Sequence, residues 1–349
     1  MDNIKILENL KTKKISQMQL DPNGLCNVGC WFCPVAYKKN PEHAKNNMPK
    51  ELLLKIIQNI MEERDRPDGI VSKTFGGFYT AHYNEILLYK HFDYLLEICR
   101  ENKLCFMVLS NGTSLTKKKI DLISEYQDVV NGINLNIPIF SNAELWSKRV
   151  NAKPELHEKI LDNIKYACEK LPRMIKNKTF SIGINGINNN SLKKYGGWIE
   201  TGPNFPEDID LDVKTGEYNR ELETAKKLFP NVQVFGNPSL IDRAGHLSSV
   251  IDNKSSIKKN LMNNNLNKRV IGCGNGIEVG GRPFGWIHVN ANGEAFLCCN
   301  DYDMDTIFGD FKTQTLREFW ITEKHSEVID QSFKTICRSC AAAIFENDV

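Results

Sequence analysis

Cysteine is the residue type whose spacing in this chain can do chemistry. Eleven cysteines occur in 349 residues, and most fall into two groups. The first group is Cys26-Asn27-Val28-Gly29-Cys30-Trp31-Phe32-Cys33, a C-x3-C-x2-C triplet. Three thiolates this close can face one iron–sulfur cluster. A cubane has four irons, so three ligands leave one iron open to a substrate or cofactor. A structural zinc site wants four closed ligands. The next candidate ligand, His43, has no matching spacing. The second group is Cys273, Cys298 and the C-x2-C pair Cys337 and Cys340. Four thiolates suit either a fully ligated second [4Fe-4S] cluster or a four-cysteine zinc site. Cys99, Cys105 and Cys168 read as small core hydrophobes.

The N-terminal Met1–Leu10 stretch lacks the apolar core and cleavage site of a secretory signal. No apolar run approaches the roughly 20 residues that span a bilayer. The expectation is a cytoplasmic protein, where clustered thiols ligate metals or catalyse rather than form disulfides. Lys and Arg total 45 and Asp and Glu 43, a net charge of +2. That balance gives no electrostatic argument for nucleic acid or a membrane as partner. Hydrophobic residues at 41% and charged residues at 25% are ordinary globular values, which argues against wholesale disorder.

The elements that must position the cysteines follow from periodicity. A strand over 15–20 leads into a cysteine-rich loop at 21–37. Helical spacing over 48–64 puts Leu52, Leu53, Ile56, Ile57, Ile60 and Met61 on one side. A strand and loop at 69–80, a helix over 87–102 and a strand over 104–109 follow, then the turn Ser110-Asn111-Gly112-Thr113. A helix over 117–126, a strand over 129–140, a helix over 156–171, a strand over 179–187, a helix over 220–228 and a strand over 232–235 continue the pattern. Such alternation predicts a parallel sheet with helices outside it and ligands at the strands' C-terminal ends. Periodicity alone leaves an open doubly wound sheet and a full or partial barrel as alternatives. The polar, Asn- and Lys-rich stretch at 250–268 reads as a linker. Beyond it, Asn292-Gly293 between two apolar runs predicts a hairpin, in what reads as a separate small module.

The triplet Cys26-x3-Cys30-x2-Cys33 resembles the signature of radical SAM enzymes. The resemblance implies an α/β fold, a partial (β/α)6 TIM-like barrel over 1–248, a linker over 249–269 and a small α+β module over 270–349. It implies a [4Fe-4S] cluster that binds S-adenosylmethionine through its open iron, a one-electron cleavage to a 5′-deoxyadenosyl radical, and hydrogen abstraction from the substrate. The electron would come from a donor such as flavodoxin or ferredoxin. The family's Gly-Gly-Glu-Pro segment has a partial likeness in Gly76-Gly77-Phe78-Tyr79, which lacks the acid. Asn84-Glu85-Ile86 fits better, because one helix and one strand then lead to Ser110-Asn111-Gly112-Thr113, which resembles the family's Thr-Asn-Gly-Thr. Glu85 is therefore assigned the methionine amino group, although Ile86 stands where proline is usual. Phe32, Ser110, Asn111 and Asn136 (or Asn134) are assigned to the cofactor, as is Arg243, which could pair with the methionine carboxylate. Gly183-Ile184-Asn185-Gly186 is a weaker candidate for the adenine edge.

The tail resembles the twitch form of the SPASM module. This implies one auxiliary [4Fe-4S] cluster on Cys273, Cys298, Cys337 and Cys340, since no cysteine follows Cys340. Cys298 fits the module's Gly-x4-Cys spacing, which leaves Cys299 spare as a candidate hydrogen-atom donor. In layout the chain is similar to 2-deoxy-scyllo-inosamine dehydrogenase and related sugar or aminocyclitol enzymes. A closed auxiliary cluster favours dehydrogenation. A thiol donor would give epimerisation instead. Peptide modification is a third reading, weakened because only 25 residues precede Cys26.

Overall fold

The computed structural model of the chain describes residues 3–30, 33–36, 45–80, 82–185, 211–237, 268–274, 281–340 and 342–346. Six strands alternate with helices: β1 (Gln17–Leu20), β2 (Gly77–Thr80), β3 (Cys105–Ser110), β4 (Val130–Asn136), β5 (Phe180–Asn185) and β6 (Gln233–Asn237). Each pairs in parallel with the next in sequence. The intervening helices include Lys50–Asp65, Phe92–Glu101, Lys117–Glu125, Glu155–Lys170 and Leu211–Leu228. This is the partial (β/α)6 barrel expected, and no helix among the described residues is long and apolar enough to cross a membrane.

The strands have two unlike faces. Met18, Phe78, Phe106, Val108, Ile133, Leu135, Phe180 and Ile182 are buried and form the core with the helices. The alternate positions run in register as Gln19, Tyr79, Met107 and Gly132, then Leu109, Asn134 and Ser181, then Asn136, Gly183 and Phe235. This second, more polar face is the inner wall. Gly77 is required where β2 meets β3, because a Cβ there would sit 1.9 Å from the Cys105 carbonyl oxygen.

The tail does not break the sheet. β7 (Val270–Cys273) pairs with the last strand, β11 (Ala343–Phe345), in a two-stranded ribbon. β8 (Trp286–Val289) pairs in parallel with β1, and β9 (Glu294–Phe296) and β10 (Ile307–Asp310) extend the same sheet antiparallel. The expected hairpin about Asn292-Gly293 is present, with Gly293 at φ +80. The residues expected as a linker lie outside the described residues up to position 267.

Other differences have local causes. A helix at Asn3–Thr12, outside the elements expected from periodicity, buries Ile6 and Leu10. The helix expected over 87–102 is two pieces, Ile86–Leu88 and Phe92–Glu101, with Glu85 capping the first at Leu87 N. β4 stops at Asn136, short of residue 140, because Pro138 has no N–H for the ladder. The helix Ala143–Val150 went unread.

The tail is stapled to the barrel. Arg317 donates to both oxygens of Glu63 at 2.9 and 2.7 Å, and Ile70 N donates to the same carboxylate at 3.2 Å. Burial opposes ionisation of Glu63, but the hydrogen bonds from Arg317 and Ile70 win and hold its pKa below the usual range. A depressed carboxylate stabilises the fold above its unfolded pKa, about 4.3, and that stability is lost as pH falls through the lower folded value. Glu63→Gln should therefore flatten the acid limb of a stability-against-pH curve measured by denaturant unfolding. An unchanged acid limb would remove the staple from the account.

Candidate active site

The cluster loop leaves β1 at its C-terminal end. Asn23, 1% exposed, donates from its amide to the carbonyls of Leu25 and Glu85, at 3.2 and 3.0 Å. Glu85 N donates back to Leu25 O at 2.8 Å. The loop and the Glu85 segment are thus one hydrogen-bonded unit. Further on, Gly29 N donates to Val150 O at 2.8 Å and Cys33 N to Cys30 O at 2.9 Å, which folds the triplet back on itself. Burial pushes the Cys30 thiol well up, and the neighbouring Cys33 and Cys26 add to it. Cys26 is raised by burial and by the Glu85 charge, against hydrogen bonds from Val28, Asn111 and Asn27. Three crowded thiols of this kind ionise together only with a cation to hold them. That donor chemistry fits an iron–sulfur cluster.

Glu85 is 1% exposed. Its Oε1 accepts from Leu87 N at 3.1 Å, and its Oε2 accepts from Ser110 Oγ at 3.0 Å and Asn111 N at 2.8 Å. Burial pushes its carboxyl up while these three donors pull against the shift. Each carboxylate oxygen has two lone pairs, so Oε1 keeps capacity for one more donor. Asn111 Nδ2 reaches Cys26 Sγ at 3.6 Å and Asn27 Oδ1 at 3.1 Å. Four sequence-selected residues, Cys26, Glu85, Ser110 and Asn111, are therefore brought together, with Asn111 as the joint. Ser110 spends its hydroxyl on Glu85 and on Gly112 N, so its place is to position Glu85. Glu85→Ala orphans three donors, two of them buried, and should cost about 3 kcal/mol in denaturant unfolding. A loss under about 1 kcal/mol would show the carboxylate has no structural part.

The two strand-four asparagines separate. Asn134 donates across to Ser181 Oγ at 3.0 Å, whereas Asn136 Oδ1 is buried with no hydrogen-bond partner. Asn136 is thus the one with a group to offer a ligand. Gly183 lies beside the Phe235 ring on the inner wall. Phe32, Arg243 and Gly186 lie outside the described residues.

The second cysteine group converges. β7 carries Cys273, Cys298 follows β9, and Cys337 and Cys340 sit on the turn Ile336–Ser339 and its cap. All four line one cavity of about 420 Å³, together with Arg282, Pro283, Leu297 and Asn300. Gly281, at φ +65, lets the chain pass Cys273, whose carbonyl oxygen would be 2.0 Å from a Cβ there. N–H groups point at the sulfurs: Asn300 N at 3.4 Å from Cys298 Sγ, Asn300 Nδ2 at 3.7 Å and Ala342 N at 3.4 Å from Cys340 Sγ. Burial, then Cys340 and Cys273, push the Cys337 thiol up. Four thiols around one cavity, with N–H donors aimed at Cys298 and Cys340, fit an iron–sulfur cluster, whose sulfurs take such bonds. Cys299 does not line the cavity; its thiol hydrogen-bonds with Cys298 and lies near Cys340.

Between the two groups lies a polar pocket of about 340 Å³, lined by Asp21, Asn23, His82, Asn84, Asn290 and Tyr302 among others. It sits at the C-terminal ends of β1, β2 and β8. Asp21 accepts from His82 N at 3.1 Å, and His82 Nε2 is 3.2 Å from Asp301 O. The Asn84 amide oxygen is buried without a partner. Beside it His288, fully buried on β8, is held neutral by burial and by the charge of Arg282.

Asn23, Asn84, Asn300, His82 and Arg282 escaped the sequence reading. Asn300, two residues after Cys298, has a local signal, since a residue at that offset can turn its N–H back on the sulfur. The others act across strands and have none.

Residues 22–199 match the radical SAM superfamily and residues 281–341 an iron–sulfur cluster-binding domain. The second match takes in Cys298, Cys337 and Cys340. No curated protein matches the chain. Among solved structures, BtrN in complex with AdoMet and 2-DOIA aligns at TM-score 0.50 and 15% identity, covering 92% of this chain and 88% of BtrN. SuiB of Streptococcus suis, bound to precursor peptide SuiA, aligns at TM-score 0.52 and 15% identity, covering 97% of this chain and 72% of SuiB. These likenesses speak for the fold alone. The family match covers just over half of the 349 residues, and with it the chain belongs to the radical SAM superfamily, whose members work with S-adenosylmethionine and [4Fe-4S] clusters.

Proposed function

We propose that the chain oxidises a small polar substrate, a sugar or aminocyclitol, by two electrons at a carbon bearing a hydroxyl or amine. The observation that carries this reading is the cavity shared by Cys273, Cys298, Cys337 and Cys340. Four thiols around one cluster leave no iron open for substrate, so its remaining use is to take up an electron. When bound, S-adenosylmethionine and its cluster supply a hydrogen-abstracting 5′-deoxyadenosyl radical, and the auxiliary cluster supplies the electron acceptor.

The chain's own residues divide the rest. Cys26, Cys30 and Cys33 hold the catalytic cluster. Glu85 receives the methionine ammonium on its spare Oε1 lone pair, with Ser110 and Asn111 fixing the carboxylate. Asn136 offers its unpartnered oxygen to the ribose. Phe32 and Arg243 are assigned to the cofactor by sequence position. The pocket of Asp21, His82, Asn84, Asn290 and Tyr302, polar and set at the strands' C-terminal ends, receives the substrate. Flavodoxin or ferredoxin supplies the first electron.

The test is an anaerobic assay with a panel of sugars and aminocyclitols deuterated beside each hydroxyl or amine. The expected result is deuterium in 5′-deoxyadenosine and one oxidised product per cofactor cleaved. An epimer with unchanged oxidation level would overturn the dehydrogenase reading. Cys299 would then be the hydrogen donor, and Cys299→Ala would stop turnover with cleavage intact. Its place against Cys298, away from the pocket lining, favours unchanged turnover instead.

A further inference from the structure

Arg282 takes no part in the chemistry proposed for the site. Its side chain lies on the wall of the cavity lined by Cys273, Cys298, Cys337 and Cys340. Its guanidinium carbon is 4.1 Å from the centre of the Trp286 ring, and its Nη1 is 3.1 Å from Nε2 of His288. Its Nε is buried with no hydrogen-bond partner. His288 Nε2 accepts from the guanidinium, so the imidazole adds no negative charge. Arg64, Arg66, Arg100, Arg149, Arg220 and Arg317 each pair with a carboxylate. Arg282 pairs with none of the described ones.

A half-buried positive charge without a counter-ion is unfavourable, because removal from water costs free energy that only an opposite charge returns. A [4Fe-4S] core held by four thiolates is anionic, and more so when reduced. Net charge and N–H donors near the sulfurs are among the protein's means of setting a cluster's potential. We propose that Arg282 is the counter-charge of the auxiliary cluster, clamped by Trp286 and His288, and that it raises the cluster's reduction potential. This rests on the proposed ligation by the four tail cysteines. An acceptor poised in this way takes the electron from the substrate more readily, without Arg282 touching the substrate.

The experiment is an EPR-monitored redox titration of the full chain carrying Cys26→Ala, Cys30→Ala and Cys33→Ala, which isolates the auxiliary cluster. At the potential where this parent is half reduced, adding Arg282→Gln should lower the reduced-to-oxidised ratio about tenfold, a negative shift of about 59 mV for one electron. Arg282→Lys, which keeps the charge, should recover most of the shift. If Arg282→Gln loses the cluster while Arg282→Lys keeps it near the parent potential, the charge requirement stands. An unchanged potential with full iron in Arg282→Gln overturns the inference and leaves the auxiliary cluster standing. A parent without iron overturns the ligation as well.

Discussion

Cys26→Ala should abolish 5′-deoxyadenosine formation while the tail keeps its cluster. Iron should fall from about eight per chain to about four, because one cubane is lost and one retained. The physical ground is the position of the Cys26 sulfur. It takes the Asn111 amide at 3.6 Å, and Asn111 N is also bonded to Glu85. Removing the sulfur takes away one of the three proposed ligands and unties the joint between cluster loop and Glu85. Two remaining thiols in a loop leave the cubane under-ligated. Iron analysis and product chromatography after incubation with S-adenosylmethionine and reductant check the result. Retained cleavage would remove Cys26 from the ligand set.

Cys337→Ala should produce the complementary defect. Cofactor cleavage should continue, while oxidised product falls by at least about tenfold and iron again drops to about four. Cys337 lines the tail cavity with its three partners, and it is held by the turn Ile336–Ser339 next to the β7–β11 ribbon. Loss of one ligand opens that cluster. Abstraction from the substrate then has no acceptor to complete the oxidation, so cleavage and product formation uncouple. The measurement is the ratio of 5′-deoxyadenosine to oxidised product. A ratio unchanged from the parent, with iron unchanged, would show that Cys337 holds no cluster used in turnover.

The two variants should fail in opposite ways because the two cysteine groups are held by different elements. The triplet follows β1. The quartet is gathered by β7, β11 and the end of the β8–β9 hairpin. The parallel pairing of β8 with β1, Gln17 to Trp286 through Leu20 to Val289, links them. The polar pocket opens at that seam. That pairing leaves no sign in the sequence, since the residues that pair are far apart in it and each strand alone reads only as apolar.

What the sequence determined by itself was chemistry set by short spacing. Three cysteines within eight residues, a C-x2-C pair and an Asn-Gly turn are local, and local geometry follows from few bonds. Strand–helix alternation was equally legible, because burial imposes a period on each element. Glu85 was found by counting one helix and one strand to Asn111, and the structure places the two 2.8 Å apart. Tertiary structure alone decided what each group faces. It turned Ser110 toward Glu85, paired Asn134 with Ser181, and left Asn136 with an unused oxygen. It also set Arg282 beside thiols contributed by three separate segments. Such contacts depend on strand register and packing, which sum over the whole chain and leave no mark on any one stretch of it.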